Sequence, residues 1–317
     1  MKKKTMTTSD WLQDKLTKLY DMTETLRKIS PETYTEVDHD YGFWSLKKEI
    51  SLMYLARPFQ NIANSPNSHF SSYYYIDLFA GSGLMKVSDD QFFVGSPVVA
   101  IGSTLKEKPF SKYICIEADE NRCKVLQQRL YAACSHYQTC KAEVVYADTN
   151  AEIGNVLNKY APKGATCYLA FVDPEKYTDL NWSTLETLMR FGTGDIILNF
   201  PSHSVVRNLP TKTSAGAVAS LSTFVGDSNW ASQLMSLDDF LEYFKAKMQL
   251  YRSEVQSITL YGDGRKRLFD LVFATNSKGM NNSLQDLSRR LDKIKTKTIK
   301  GLSEVANEKQ KQLSGFV

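Results

Sequence analysis

Four acidic residues each close an apolar run: Asp77 ends YYYID, Glu117 ends YICIE, Asp148 ends VVYAD and Asp173 ends YLAFVD. A glycine loop, Phe79-Ala80-Gly81-Ser82-Gly83, follows the first run almost at once. A carboxylate offers two acceptor oxygens, enough for a pair of hydroxyls or for an ammonium. Glycine at positions 81 and 83 lets a ligand approach the backbone closely. Ligands of open α/β sheets bind beyond the carboxyl ends of the strands. Four acids on that edge, beside a glycine loop, point to an adenosine-containing cofactor.

The loop discriminates between cofactors. A dinucleotide fingerprint needs GxGxxG with an acid about 20 residues on. Here Lys86 takes the third glycine position and the next strand-end acid is Glu117, so NAD is disfavoured. No GxxxxGK[ST] is present, which excludes a P-loop. The same residues read as the FxGxG element of S-adenosylmethionine enzymes. Phe79, Gly81 and Gly83 would then pass under the methionine and ribose, and Asp77 would meet the ammonium. Glu117 would take the ribose hydroxyls and Asp148 the adenine amino group. Past the fourth acid stands Asp173-Pro174-Glu175-Lys176-Tyr177. Amino-methyltransferases of the DPPY kind hold the nucleophilic amine at this place. The Asp carboxylate and a Pro carbonyl accept the amine's hydrogens and leave its lone pair aimed at the methyl group. That is catalysis by positioning and desolvation. Asp173, Pro174 and Tyr177 are the catalytic candidates, although Glu175 replaces a second proline and the aromatic stands one place late. Asn199, ending a fifth apolar run before Pro201, is a candidate for the acceptor pocket. The bland alternative is that polar residues and prolines commonly end strands.

The elements that must position these groups follow from periodicity. Apolar runs predict strands over 73–78, 113–117, 143–147, 167–172 and 195–200, each but the last followed by a helix. Runs at 255–261 and 267–274 flank a GDGRK hairpin signal. The expected fold is a doubly wound, Rossmann-like α/β sheet of the class I methyltransferase type. It has seven strands, mostly parallel, with an antiparallel last strand and helical extensions. The expected division is an N-terminal helical extension over 1–65, the α/β domain over 66–277 with a helical insertion at 201–250, and a basic helical segment over 278–317. Helices are expected at 10–30 and 43–56, a loop over 61–69, and a helix started by Ser96 as cap with Pro97 in its first turn.

At 317 residues with 42% apolar content the chain can fill one large domain or two. No apolar run reaches membrane-spanning length and the first residues, MKKKTMTTSDW, lack a signal sequence's apolar stretch. Neither a membrane partner nor export is expected. The five cysteines contain no CxxC pair and the four histidines lack ligand spacing, so no metal site or disulfide framework is expected, and a reducing cytoplasm fits. Residues 284–311 carry eight Lys or Arg against four Asp or Glu. A short, helical stretch with Arg289, Arg290, Lys293, Lys295, Lys297 and Lys300, joined by Arg265, Lys266 and Arg267, is a candidate nucleic acid contact. Lys293, Lys295 and Lys297 are the substrate candidates within it. The competing reading is a solvated helical face.

The chain resembles the three-Cys-motif partner (TcmP) proteins, prokaryotic methyltransferase-like proteins. FWSLKKEISLMYL, YIDLFAGSG, GSPVVA, IEADENR, FVDPEKYTDLNW, ILNFP, FVGDSNWASQL and LFDLVFATNS carry the resemblance over most of the length. The GSP and Gly-Asp-x-x-Trp blocks are its specific parts. It implies the class I fold, S-adenosylmethionine as cofactor and a genomically neighbouring protein as partner. The family usually has Asp-Pro-Phe-Gly where this chain has Asp-Pro-Glu-Lys. Three functions compete: methyl transfer to an amine nitrogen of a nucleobase or protein, a silent methyltransferase-fold scaffold, and a small-molecule methyltransferase.

Overall fold

The computed structural model describes residues 7–29, 42–88, 91–138, 141–161, 166–209, 215–233, 236–262 and 266–314. Each predicted strand forms: β1 Ser72–Asp77, β4 Lys112–Glu117, β5 Ala142–Tyr146, β6 Thr166–Val172, β7 Thr193–Phe200, β8 Glu254–Tyr261 and β9 Arg267–Thr275. They make one sheet in the order β5-β4-β1-β6-β7-β9-β8. The first five are parallel, and β9 runs antiparallel to β7 and β8. This order with its reversed strand is the class I methyltransferase, Rossmann-like fold. A second sheet, the hairpin β2 Leu84–Ser88 and β3 Gln91–Val94, follows the glycine loop and was not expected.

Side chains on a strand alternate between the two faces. Tyr73 and Tyr75 of β1 enter one apolar core, while Tyr74 and Ile76 enter the other. The second core is covered by α6 Thr149–Tyr160, α7 Trp182–Phe191, α8 Ser202–Val206, α9 Ala215–Val225 and α10 Leu237–Met248. The first lies under α1 Thr8–Tyr20, α2 Thr23–Arg27, α3 Leu46–Ala63, α4 Ser96–Gly102, α5 Glu120–Tyr137, α11 Lys278–Leu291 and α12 Thr296–Ser314. The two ends of the chain meet there: α12 packs on α1 and α11 on α3. The Tyr54 hydroxyl donates to Asp286 Oδ2 at 2.6 Å across that contact.

Several local expectations change. The helix read over 10–30 breaks at Met22, whose φ is +64°. Helix α3 runs on to Ala63 with Pro58 inside it, so the loop expected from residue 61 begins later. The cap of α4 is Gly95, not Ser96. The Gly-Asp-x-x-Trp block is a packing device. A Cβ on Gly226 would strike the Trp182 ring at 2.4 Å, Asp227 accepts from the Tyr243 hydroxyl at 2.8 Å, and Trp230 Nε1 donates to Ser222 Oγ at 3.1 Å. Cys115, Cys123 and Cys167 are buried free thiols, but Cys134 is disulfide-bonded, where no disulfide framework was expected. Cys140 and Arg265 lie outside the described residues. Among the described residues no helix is long and apolar enough to cross a membrane.

Asp195 on β7 is buried, and desolvation pushes its carboxyl up to about 7. A raised carboxyl favours the protonated fold, so the stability it lends is complete below the ordinary value of 3.8 and is lost as pH rises through 7. Asp195→Asn is therefore expected to gain stability relative to the parent between pH 5 and pH 8. Urea midpoints at the two values test this; a constant difference would contradict it.

Candidate cofactor and acceptor site

The glycine loop leaves the carboxyl end of β1 and is fixed from several sides. Leu78 N donates to Phe171 O on β6 and Ala80 N to Ile116 O on β4. Gly95 N donates to Gly83 O at 2.9 Å, and a Cβ on Gly95 would sit 3.2 Å from the Gly83 backbone. The GSP block thus positions the loop. The fully buried Arg129 of α5 donates to Ser82 O at 3.0 Å and to Leu26 O at 3.3 Å, tying the loop to α2. Gly81 has φ +61° and no atom within 4 Å of where its Cβ would stand. The loop therefore presents open space where any other residue would place a side chain.

Glu117, at the end of β4, faces that loop. Its Oε2 accepts from Gly81 N at 2.8 Å and its Oε1 from Asp119 N at 2.9 Å. Asp77 is fully buried behind the loop, accepting from the Tyr75 hydroxyl at 2.7 Å and from Phe79 N at 3.4 Å. Desolvation pushes its carboxyl up to about 7, against hydrogen bonds from Ser96 and Tyr75 that pull it down. Ser96 serves Asp77 and does not cap α4. Asp148 is exposed; its Oδ1 caps α6 by accepting from Asn150 N at 2.9 Å.

Asp173 and Asn199 meet at the ends of β6 and β7. Asn199 Nδ2 donates to Asp173 Oδ1 at 2.6 Å. The other oxygen, Oδ2, is held by Lys48 Nζ of α3 at 2.5 Å. Lys48 and its neighbour Glu49 were not read as site residues. Glu49 is buried among Lys48, Asp173 and Asp77, and desolvation holds its carboxyl well above the carboxylate range. Glu49 Oε2 and Asn199 Oδ1 are buried with no hydrogen-bond partner among the described residues. Glu49, Asp173, Ser96 and the loop line one cavity with about 30 Å³ of free space, room for a water or two.

Tyr177 is not brought to this cavity. It is buried in the second core against Phe224, with its hydroxyl 3.0 Å from Ser220 Oγ. Pro174 is buried beside Asp173. The basic segment is not one helix: Lys293 and Lys295 stand in the turn between α11 and α12, and Lys297 is in the first turn of α12. Arg290 pairs with Asp286 at 2.7 Å, and Arg267 pairs with Asp270 at 2.8 Å and also with Asp238, so these guanidiniums are engaged within the fold.

The donor types are those that S-adenosylmethionine would need, although the space between them is only about 30 Å³. Gly81 supplies open space, Glu117 a carboxylate, Asp77 a buried acid that titrates near neutrality, and Glu49 and Asn199 unsatisfied polar atoms. No protein-family model and no curated protein matches the chain. Among solved structures it is similar to an O-methyltransferase from Bacillus cereus in complex with SAH. That likeness has a TM-score of 0.38 and 9% identity and covers 80% of this chain and 99% of the other. At that TM-score the likeness carries no weight; the fold assignment rests on strand order.

Proposed function

We propose that the chain is an S-adenosylmethionine-dependent methyltransferase of the TcmP kind that acts on an amine nitrogen. The observation behind the amine is the pairing of Asp173 with Asn199. A carboxylate has about four lone-pair positions, of which Lys48 and Asn199 take two. Beside it, Asn199 Oδ1 is a buried acceptor without a donor. An N–H group would satisfy both, and leaving such an acceptor unpaired is costly.

When bound, S-adenosylmethionine supplies an electrophilic methyl group. The remaining work belongs to this chain. Glu117 would take the cofactor's ribose hydroxyls beside the open space at Gly81, and Asp77, buried behind the loop, would supply acidic character near its ammonium. Asp173 and Asn199 accept the amine's hydrogens and fix its lone pair. Lys48 holds the Asp173 carboxylate in orientation, and α3 keeps water from the cavity. Burial raises the Glu49 carboxyl, which disfavours a second negative charge beside Asp173.

A second reading also has an observation behind it. The Lys48 ammonium already neutralises Asp173, and the free space at the loop is small. Both favour a silent scaffold. Labelled methyl transfer to whole-cell RNA, DNA and protein fractions separates the readings. The expected result is label in one macromolecular fraction, lost in Asp173→Ala. Transfer to no fraction, with S-adenosylmethionine bound, would favour the scaffold.

A further inference from the structure

A larger cavity, of about 760 Å³, is walled by the carboxyl end of β8, the turn between α11 and α12, and Lys47 of α3. That is the size of a pocket for a nucleotide-sized ligand. Lys47, Lys295 and Lys297 line it, with Asp292 the one carboxylate among the described residues of the wall. Lys47 is only 6% exposed, and its ammonium makes no hydrogen bond or ion pair among the described residues. The stem is buried while the ammonium reaches the cavity, which leaves a cation open to an anionic ligand there. Desolvation pushes Lys47 below its ordinary value, which the field of Asp292 only partly offsets. The amino end of the 19-residue helix α12 begins at Thr296 on the same wall, and free N–H groups at such an end favour anions. Tyr261, also on the wall, is 48% exposed and is an aromatic group on which a base could stack.

We propose that this cavity binds a nucleotide, with its phosphate on Lys47, Lys295 and Lys297 and its base on Tyr261. The ring, the three ammonium groups and the volume together suit a phosphate ester of an aromatic base better than a bare inorganic anion or an acidic peptide. The cavity and the acceptor site are neighbours along α3. Lys47 and Lys48 are consecutive on α3, and Lys48 holds Asp173. Phe269 of β9 lies under the Lys48 ammonium at 5.4 Å and pairs with Leu260 of the cavity wall. If the methyltransferase reading holds, on which this extension rests, the methyl acceptor is nucleotide-bearing.

The test titrates the full chain with 5′-AMP, adenosine and a labelled single-stranded oligonucleotide across a salt series, with S-adenosylmethionine affinity measured in parallel. AMP or the oligonucleotide is expected to bind, adenosine to bind at least tenfold more weakly, and affinity to fall with salt as phosphate contacts require. An oligonucleotide that binds much more tightly than AMP identifies a strand as the source; equal affinity identifies the free nucleotide. Lys47→Met and the surface variant Lys297→Ala are each expected to weaken binding about tenfold, the effect of one charged hydrogen bond. Tyr261→Ala is expected to weaken it several-fold. Failure of both AMP and oligonucleotide to bind, or binding that ignores Lys47 and Lys297, overturns the inference. If S-adenosylmethionine still binds in that case, the inference fails alone. If nucleotide binds and S-adenosylmethionine does not, the nucleotide site stands and the methyltransferase reading falls.

Discussion

Asp173→Ala is expected to destabilise the fold by about 3–5 kcal/mol, and adding Lys48→Met is expected to restore most of that loss. The Lys48 and Asp173 side chains are only 5% and 17% exposed, and they meet at 2.5 Å. Removing one member of such a pair takes from the other buried charge its opposite charge in direct contact. Removing both leaves an apolar contact that costs little. Urea midpoints of the parent, both single variants and the double variant give the coupling directly. Additive losses in the double variant would show that the pair is not coupled. The same variants separate stability from chemistry. Asp173→Ala and the double variant should both lack methyl transfer while S-adenosylmethionine affinity stays nearly unchanged, because Asp173 faces the acceptor. Transfer restored together with stability would remove Asp173 from the chemistry. Equal loss of cofactor binding would move it into the cofactor site.

Glu117→Ala is expected to weaken S-adenosylmethionine binding by roughly 1.5–3 kcal/mol, about 10- to 150-fold, the scale of hydrogen bonds to a charged group. Two effects combine in that number. The variant removes the acceptor for the ribose hydroxyls. It also frees the Gly81 and Asp119 amides that Glu117 now holds at 2.8 and 2.9 Å. Glu117→Gln keeps one acceptor for the loop, so its affinity should fall between parent and Ala variant. Unchanged affinity in the Ala variant would exclude Glu117 from the site.

The sheet was legible because parallel strands buried on both faces read as continuous apolar runs, and each of these runs stops at a strand end. The strand-end acids and the glycine loop were legible for the same reason. What the sequence hid was tertiary. Lys47, Lys48 and Glu49 are charged and consecutive, yet all three are buried: α11 returns from the far end of the chain onto α3, and Lys48 and Glu49 lie by Asp173. Three charged residues in a row inside an otherwise apolar FWSLKKEISLMYL helix were the one available signal. Tyr177 followed a motif by position, but its ring turned to the core that the Phe224 cluster builds, which no local pattern reports. The break at Met22 has no glycine or proline to announce it. The strands of the hairpin β2–β3 are short, so period-2 alternation had little length in which to show. Lys293, Lys295 and Lys297 looked like one helical face, but Asp292 closes α11 and only two of the three reach the cavity with Lys47.

Isothermal titration of the unmodified chain with S-adenosylmethionine, and with NAD under the same conditions, tests the assignment of the cofactor most directly. Saturable binding of S-adenosylmethionine at one site, weakened by Glu117→Ala, with no heat from NAD, is the expected result. Binding of NAD alone, or S-adenosylmethionine binding that Glu117→Ala leaves untouched, would contradict the cofactor site assigned to the glycine loop and the β4 carboxylate.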